Sequence, residues 1–423
     1  MRPTKSACFG IALVLSAVMS VVEAWPAVAA AGDLDPTFGS SGLVITTFRS
    51  ASSYIEDLAV QNDGKIIAGG TLSHTYSQTA WALVRYLPNG KIDRSFGNKG
   101  RVVTDITDGR DLLARVLVLG DGKIVAAGTG GSSFAAVRYM SDGHKDPTFG
   151  HDGVVRVNFS AGLDGANDLR LAPGGKLVLA GGAEPGGVGA FAVARLNPDG
   201  SLDATFGGDG RRMTGFGTTT SYAANVLVHA DGSMLVSGRV GTEVGLVTYG
   251  SSGVLDPAFG DQGRRLIDTG TNMFPRGMLQ LKSGRVMLGG NIQKGSDISD
   301  CDAALLRLNA DGTPDESFGP TGLVTQDFTY SDFISGLARA GGKFVLPMTV
   351  GAVFGSDQQL AVVRLNNDGS ADTSFGNQGF AAIHLDGGYA GAIAVQPDGR
   401  ILVGGADLVE GPSNMALARF LTA

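Results

Sequence analysis

The sequence has few of the residues that usually build disulfides and active centres: two cysteines, five histidines and two tryptophans among 423 residues. Cys8 lies in an N-terminal apolar run, which leaves Cys301 as the one cysteine of the remaining chain. A single thiol cannot form an internal disulfide, so we expect the fold to be stable through its core alone. Asp300 and Asp302 flank Cys301, and their negative charges disfavour a reactive thiolate.

The chain also lacks the short motifs of common enzymes and metal proteins. It contains no H-E-x-x-H pair, no G-x-S-x-G elbow and no phosphate-binding loop. Its N-P-D-G turns lack the D-x-D-x-D-G spacing of a calcium loop. The histidines are scattered along the chain, at His74, His144, His151, His229 and His384. We therefore predict no catalytic constellation, no cofactor and no metal site.

Positive charge is scarce as well. Charged residues make up 17% of the chain, and the formal net charge is −7. Nucleic acids and anionic membranes select basic surfaces, so neither is expected as a partner.

Only one long apolar run occurs, from Ala7 to Val22, and it is short for a membrane span. Arg2 and Lys5 precede it, and the small-residue sequence Ala27-Val28-Ala29 follows. This order is typical of a secretory signal peptide. We predict a cleaved leader over residues 1–30, export to the periplasm or the exterior, and no membrane insertion after cleavage.

Glycine, by contrast, is abundant, with 66 residues, and it accompanies a repeat. A block that reads L-D-x-[ST]-F-G-x-x-G, with modest variation, occurs seven times at intervals of 53 to 59 residues. A short strand follows each block, as in GLVITTF from Gly42. The phenylalanines of the blocks are Phe38, Phe96, Phe149, Phe206, Phe259, Phe318 and Phe375.

Three further strands complete each unit. An apolar strand such as EDLAVQ precedes a tight turn such as Asp63-Gly64, which tolerates positive φ. A second strand such as KIIAGG and a third such as ALVRYL follow. No segment sustains an apolar period of 3.6 residues with helix caps. Four antiparallel strands at this period form one propeller blade, so residues 31–423 are predicted to be an all-β, single seven-bladed β-propeller of four-stranded blades.

The two ends of the repeat region complement each other. The region begins with an L-D block and an outer strand, and it finishes with a third strand from Met415 to Leu421. The strand from Gly42 to Phe48 is therefore predicted to complete the C-terminal blade and to close the ring.

The pattern DGKIIAGG…WALVRYLPNGKIDRSFGNKG resembles the delta-sixty repeat, a bacterial propeller repeat of largely unknown function, and more distantly the kelch repeat. The resemblance covers about residues 32 to 423. It implies a propeller and an exported location, and it brings no catalytic residues. The fourth unit departs from the pattern, with Thr248 where the third strand usually has arginine.

An arginine in the third strand is the most regular polar feature of the repeat. Such a residue in an apolar strand needs a partner, because an unpaired buried charge is costly. We expect each arginine to form an ion pair with the aspartate of an L-D block, bidentately if the geometry allows, and thereby to stabilise the blade. We call such a pair a staple. The arginines are Arg85, Arg138, Arg195, Arg307, Arg364 and Arg419; the aspartates are Asp35, Asp93, Asp146, Asp203, Asp256, Asp315 and Asp372.

Ligands of propellers bind at the channel mouth and on the loops around it. The starts of the first strands are predicted to place a polar ring there: Asp57, Arg115, Asp168, Asn225 and Arg276, with Gly336 and Ala392 at the equivalent positions of the last two repeats. The loops between second and third strands vary in length, which is typical of a specificity surface. They carry His74, Tyr76, Asp297, Asp300, Phe354, Asp357 and Glu410.

Two functions remain open. The first is a non-enzymatic binding or scaffold module, monomeric, for a protein or glycan partner on the variable-loop face. The second is an envelope or secreted hydrolase or lyase at the channel mouth, with Asp57 and Asp168 among its acids and bases. A quinone-dependent dehydrogenase is disfavoured because tryptophan occurs only at positions 25 and 81. The binding module is our preferred hypothesis.

Overall fold

The computed structural model describes residues 29–48, 51–75, 77–295, 300–328, 331–351, 358–385, 387–408 and 411–423. The apolar run from Ala7 to Val22 lies outside the described residues, so the leader stays a prediction. Within the described part, secondary structure consists of strands and a few short 3₁₀ turns, and no helix is long and apolar enough to cross a membrane.

The first fifteen strands in chain order are β1 (Leu43–Thr46), β2 (Ser52–Val60), β3 (Ile66–Thr75), β4 (Gln78–Tyr86), β5 (Arg101–Thr104), β6 (Asp111–Val118), β7 (Ile124–Gly130), β8 (Ser133–Tyr139), β9 (Val154–Val157), β10 (Gly165–Ala172), β11 (Lys176–Ala183), β12 (Ala190–Leu196), β13 (Arg211–Thr214), β14 (Ser221–Val228) and β15 (Met234–Val240). The remaining strands are β16 (Glu243–Tyr249), β17 (Arg264–Ile267), β18 (Met273–Gln280), β19 (Val286–Gln293), β20 (Cys301–Leu308), β21 (Leu323–Gln326), β22 (Asp332–Ile334), β23 (Ala338–Ala340), β24 (Lys343–Val350), β25 (Gln359–Leu365), β26 (Phe380–His384), β27 (Tyr389–Val395), β28 (Ile401–Asp407) and β29 (Asn414–Phe420).

These strands form seven antiparallel sheets, which confirms the predicted seven-bladed propeller. Blade 1 contains β2 to β5, blade 2 β6 to β9, blade 3 β10 to β13, blade 4 β14 to β17, blade 5 β18 to β21, and blade 6 β22 to β26. Blade 7 contains β27, β28, β29 and β1. The first strands are innermost: β2, β6, β10, β14 and β18 contact one another in succession, and β2 also contacts β27 of blade 7. Blade 6 contacts β27 through β23 and β24.

Ring closure also follows the prediction. Strand β1 pairs antiparallel with β29, from Leu43 opposite Ala418 to Thr46 opposite Met415. The hydroxyl of Thr46 lies 2.7 Å from that of Tyr86 in blade 1, and both groups are buried. The strand that completes blade 7 thereby also contacts the next blade.

The core consists of the apolar faces of adjacent blades. Between blades 7 and 1, for example, Ile55 and Leu58 of β2 pack with Leu402 and Leu417 of blade 7. The phenylalanine of every L-D block is buried, as predicted for a side chain that fills the space between blades. Since neighbouring blades cover both faces of each blade, the two middle strands are mainly apolar on both faces, apart from residues such as the third-strand arginine.

The predicted turns have the expected backbone. Gly64 of the Asp63-Gly64 hairpin has a φ of +79°. In the first L-D block Gly39 has a φ of +55°, and a Cβ there would lie 2.4 Å from the carbonyl oxygen of Leu43. Glycine satisfies both requirements at no steric cost.

Candidate functional site

The innermost strands share one irregularity, a β-bulge near their first third. In β2 the pairing with β3 shifts between Ile55 and Asp57, so Glu56 is an extra residue. Equivalent shifts occur in blades 2, 3, 4, 5 and 7. A bulge re-aims side chains, and here it turns the extra residue towards the channel. The bulge residues are Glu56, Ala114, Asn167, Ala224, Arg276 and Gly391.

The glycine that ends the second-strand motif makes room for the bulge. Gly70 lies opposite Ile55, and a Cβ on Gly70 would be 1.8 Å from the carbonyl oxygen of Tyr54. In blade 6, Pro347 and Met348 replace the glycine pair, and the innermost strand is divided into β22 and β23. Proline cannot donate to the ladder, and the Met348 side chain occupies the space that glycine leaves free. Ser335 takes the place of the bulge residue there.

A cavity of about 530 Å³ lies over this ring, and the six bulge residues and Ser335 all line it. Residues from the ends of second strands, such as Thr129 and Asn291, line it as well. The cavity therefore opens on the loop face, the end of the propeller where second strands lead into third strands. Its aromatic lining residues are Tyr222, Phe274, Phe333 and Tyr389.

The structure places two of the five predicted ring residues in the cavity lining, Arg115 and Arg276. The predicted alignment of the ring is wrong at Arg276. Gly277, which pairs with Gly289, corresponds to Asp57, which pairs with Gly69. Arg276 is the bulge residue and corresponds to Glu56. Both strands contain the bulge, so the bulge does not explain the error. Asp57 and Gly277 each lie six residues before the first residue of the hairpin turn, whereas Arg276 lies seven residues before it.

The remaining ring residues, Asp57, Asp168 and Asn225, are not among the residues that line the cavity. Asp57 Oδ2 accepts a hydrogen bond of 2.8 Å from the backbone N–H of Val116 in the next blade. Asp168 Oδ2 accepts one of 2.9 Å from Val226 in the same manner. Asp168 and Asn225 are fully buried. The two carboxylates thus connect neighbouring inner strands.

Arg115 is held at the edge of the cavity by a neighbouring blade. Its Nε lies 3.2 Å from Oδ1 of Asp168, which is buried. Burial opposes the charged form of Arg115, but the carboxylates of Asp57 and Asp168 outweigh it and raise the pKa of the guanidinium. Arg115 therefore stays charged.

Glu56 is the carboxyl group of the cavity, and sequence reasoning missed it. Burial raises the pKa of Glu56 to about 7, although Arg115 and Arg276 favour the ionised form. The charge of Glu56, together with burial, raises the pKa of Tyr389 well above its usual range. At neutral pH the cavity therefore combines a neutral phenol, a carboxyl group near half ionisation and two guanidinium groups. The signal that could have identified Glu56 was the glycine pair Gly69-Gly70 of the second strand, because its two residues pair with the residues on either side of the bulge.

Arg276 differs from the other charged residues of the cavity because it is exposed. Among the described residues, no carboxylate oxygen lies within 4.0 Å of its guanidinium nitrogens. It influences Glu56 and Tyr389 only through its charge. Arg276 can therefore pair with an anionic group of a ligand.

The predicted loop residues are only partly covered by the structure. His74 is exposed, and Asp300 is partly buried. Tyr76, Asp297, Phe354, Asp357 and Glu410 lie outside the described residues. No histidine lines the channel-mouth cavity within the described part of the chain.

One acidic cluster has the spacing of a cation site. Ligand oxygens of Asp302, Asp327 and Asp332 lie within 4.8 Å of one another. However, the Lys294 ammonium lies 2.7 Å from an oxygen of Asp302 and 3.2 Å from one of Asp327. An ammonium group already balances these carboxylates, so we assign no metal to them.

The arginines of the third strands form the predicted staples, on the face opposite the cavity. In blade 3, Nε of Arg195 lies 2.6 Å from Oδ2 of Asp203, and the guanidinium lies over the ring of Phe206. The pairing is not bidentate, because Nη2 donates to Thr205 and Nη1 donates to the carbonyl of Ser251 in the next blade. Equivalent ion pairs join Arg85 to Asp93, Arg138 to Asp146, Arg307 to Asp315, Arg364 to Asp372 and Arg419 to Asp35.

The fold and the cavity define a seven-bladed propeller with a polar and aromatic channel mouth. Six segments of the chain match a family model described as "Domain of unknown function (DUF5122) beta-propeller". The matched segments are residues 61–96, 119–149, 173–206, 283–318, 348–375 and 396–422. These segments are similar to that propeller repeat. The finer resemblance to delta-sixty and kelch repeats stays a prediction. No curated protein matches the sequence.

Three solved structures illustrate the shared fold, each at 12% identity. Catalytically inactive virginiamycin B lyase from Staphylococcus aureus, with quinupristin, matches with a TM-score of 0.53 over 89% of this chain and 98% of that chain. Hydrazine synthase of Kuenenia stuttgartiensis matches with 0.53 over 88% and 97%. Polysaccharide lyase Uly1 matches with 0.50 over 88% and 90%. At this identity the matches show the fold alone.

Proposed function

We propose that the protein is an exported binding module that holds an acidic carbohydrate in its channel-mouth cavity. An acidic carbohydrate here means a sugar that carries a carboxylate, such as a uronic acid. The leader-like N-terminus supports export, and the position of the cavity on the loop face supports ligand binding there. Between a protein and a glycan partner, the cavity favours the glycan, because it is concave and small.

Arg276 is the observation that carries the proposal. It is exposed in the cavity, and no carboxylate of the described chain lies within ion-pair distance. Although the whole chain has a net charge of −7, the cavity lining contains two guanidinium groups and one carboxyl group that burial shifts towards its neutral form. A guanidinium binds a carboxylate through two parallel hydrogen bonds, so a carboxylated ligand complements this cavity.

The other lining residues suit a sugar ring. Tyr222, Phe274 and Phe333 provide apolar faces for its C–H groups, and the amides of Asn167 and Gln358 can hydrogen-bond hydroxyl groups. Sites for small ligands commonly combine an aromatic lining with a few polar groups that fix orientation.

Hydrolysis by a carboxylate pair receives no support from the cavity. Glycoside hydrolysis usually needs two carboxyl groups on opposite sides of the scissile bond. Within the described lining, Glu56 is the only carboxyl group, because Asp57 and Asp168 bond to the backbone of neighbouring blades. Ligand binding therefore fits the cavity better than hydrolysis does, because binding does not require a second carboxyl group.

A lyase is the second candidate, and the proximity of Glu56, Tyr389 and Arg276 favours it. In such an elimination a base takes the proton from the carbon next to the carboxylate, a C=C bond forms, and the C–O bond at the neighbouring carbon breaks. The leaving oxygen takes a proton from an acid, for which the neutral phenol of Tyr389 is available. A carboxyl group with a pKa of about 7 suits a general base at neutral pH. Incubation with polyuronates and measurement of the ultraviolet absorbance of the unsaturated product tests this candidate; steady absorbance with retained binding excludes it.

The binding proposal is tested by calorimetric titration with galacturonate, mannuronate and their hexamers, with galactose and mannose as neutral controls. We expect the acidic ligands to bind and the neutral sugars to bind more weakly or not at all. Arg276→Gln should reduce the affinity for the acidic ligands about 10- to 100-fold, the effect of losing a charge-assisted hydrogen bond.

Arg94→Gln is the matched control for this titration, because Arg94 is exposed and does not line the cavity. It should leave the affinity unchanged. Absence of binding by every uronate, or equal loss in the two variants, would overturn the proposal.

A further inference from the structure

A second, shallower cavity of about 290 Å³ adjoins the channel-mouth cavity on the loop face. Four residues line both: Leu112, Thr129, Asn167 and Tyr222. The second cavity continues outwards over blades 2, 3 and 4, where Leu163, Glu184 and Thr220 line it. We call this continuation the blade 2–4 groove. It forms one continuous surface with the channel-mouth cavity.

Local backbone features keep the groove open. Strand β7 ends at Gly130, whereas the equivalent β3 in blade 1 extends to Thr75. The groove lining also contains Gly131, Gly165, Gly182 and Gly189. A Cβ on Gly182 would lie 3.2 Å from the Cβ of Tyr222, so glycine leaves space beside that ring. The short loop and the glycine lining together leave room for a ligand.

The groove wall is fixed by a buried carboxylate. Asp164 accepts hydrogen bonds from the backbone N–H groups of Phe159 and Ser160, at 2.7 and 3.0 Å, and from the Ser160 hydroxyl. These bonds hold the segment that presents Leu163, whose exposed fraction is 67%. An exposed leucine held on an ordered loop supplies apolar contact area at low entropic cost.

Tyr222 lies where the two cavities meet, and 39% of its surface is exposed. Its ring can therefore contact a ligand that occupies both cavities. Asn167, which also lines both, donates to the carbonyl oxygen of Ala223 at 2.8 Å, and this bond fixes its amide. A ligand that extends from the channel-mouth cavity into the groove therefore contacts the Tyr222 ring and the fixed amide of Asn167 where the two cavities join.

We infer that the ligand is a chain: the terminal acidic sugar occupies the channel-mouth cavity, and the following sugars lie in the blade 2–4 groove, on Tyr222 and Leu163. This inference rests on the proposed function and adds the direction and length of the ligand. A single uronate fills only the channel-mouth part of the continuous surface, whereas an oligouronate contacts both parts.

The test compares galacturonate and mannuronate with their hexamers, on the full chain, by calorimetric titration. The hexamer of a bound sugar should bind at least 10-fold more tightly than its monomer. The groove lining already holds the carboxylates of Asp164 and Glu184 and the guanidinium of Arg110. Leu163→Glu adds a further carboxylate and removes the apolar contact of the leucine, so it should weaken hexamer binding about 10-fold while monomer binding stays unchanged. Val254→Glu is the matched control, because Val254 is similarly exposed, at 61%, and lines neither cavity. It should alter neither affinity.

The outcomes separate the two proposals. Equal affinities of monomer and hexamer, or an unchanged hexamer affinity in Leu163→Glu, overturn the chain inference and leave the proposed function intact. Absence of binding by both monomers and both hexamers overturns both. Thermal melting of Leu163→Glu distinguishes a local effect from unfolding, and Leu163→Ala, which removes only apolar contact, should lower hexamer affinity to a smaller extent.

Discussion

The arginines of this propeller differ in their roles: some form ion pairs that hold the blades together, and Arg276 remains available to bind a ligand. Each staple arginine lies in an apolar strand, where an unpaired charge would cost several kcal/mol. In blade 3, for example, Arg195 forms an ion pair with Asp203, donates a hydrogen bond to the hydroxyl of Thr205 and lies over the ring of Phe206. Arg276 has no such set of partners. The third-strand arginines, which recur in the repeat, are thus structural. Arg276, which does not recur, is available to a ligand.

Blade 4 provides an internal control for the staples, because Thr248 replaces the arginine. Asp203→Asn should lower the free energy of unfolding by about 3 kcal/mol, since it leaves Arg195 buried without its counter-charge. Asp256→Asn should change it by less than about 0.5 kcal/mol, since Asp256 faces no such arginine. Urea titration of both variants measures the difference, and equal losses would show that the ion pair contributes little.

The same staples predict acid sensitivity. Burial alone would raise the pKa of Asp203, but hydrogen bonds from Lys176, Thr205 and Arg195 hold it well below its usual range. A depressed folded-state pKa gives stability that is complete above the unfolded value of about 4 and is lost as the pH falls below it. The melting temperature should therefore fall steeply below about pH 4, and less steeply in Asp203→Asn.

Glu56 predicts a second pH dependence, in ligand binding. Its pKa of about 7 means that it gains a negative charge as the pH rises from 6 to 8. Arg115 keeps its charge and Tyr389 stays neutral over this range, so the cavity becomes less attractive to a uronate. Affinity should fall about five-fold over this range, or ~1 kcal/mol. Glu56→Gln should remove the dependence; a persistent dependence in that variant would assign it to another group.

At the scale of elements, the sequence predicts the structure correctly wherever a single turn motif or the side-chain periodicity of one strand determines it. The Asp63-Gly64 hairpin, the L-D blocks and the alternation in the middle strands all follow local rules. The bulges do not, because an extra residue such as Glu56 breaks the alternation without a local turn signal. For this reason the sequence pattern does not identify Glu56. The misplacement of Arg276 has another cause, since Arg276 lies one residue further from its hairpin turn than Asp57 does.

Substitution of Gly70 in the second strand tests whether the bulge of the inner strand depends on this glycine. In Gly70→Ala the new Cβ would lie 1.8 Å from the carbonyl oxygen of Tyr54, so the inner strand must shift. We expect a loss of about 1–3 kcal/mol, typical of overpacking, together with weaker uronate binding because Glu56 moves. Gly120→Ala is the control, since a Cβ there meets nothing within 4 Å. Unchanged stability in Gly70→Ala would show that the bulge does not depend on this glycine.

At the scale of the molecule, closure of the ring decides whether the cavity exists at all. Residues from all seven blades line the cavity, so its shape depends on every interface between blades. Strand β1 covers the edge of β29, and Thr46 connects β1 to Tyr86 of blade 1. Without β1 the edge of β29 would expose unpaired backbone groups and invite pairing with another chain.

Removal of residues 29–48 should therefore lower the free energy of unfolding by more than about 5 kcal/mol, because it removes the buried Phe38, the counter-charge that Asp35 gives to buried Arg419, and the apolar surface of β1. Trp81, which is fully buried, reports this unfolding by fluorescence. The truncated chain should also self-associate more than the intact chain in sedimentation, through the free β29 edge. Thr46→Val, which removes only the hydroxyl contact, should cost about 1 kcal/mol without self-association. A truncated chain with unchanged stability and unchanged association would mean that the seven blades hold their ring without β1.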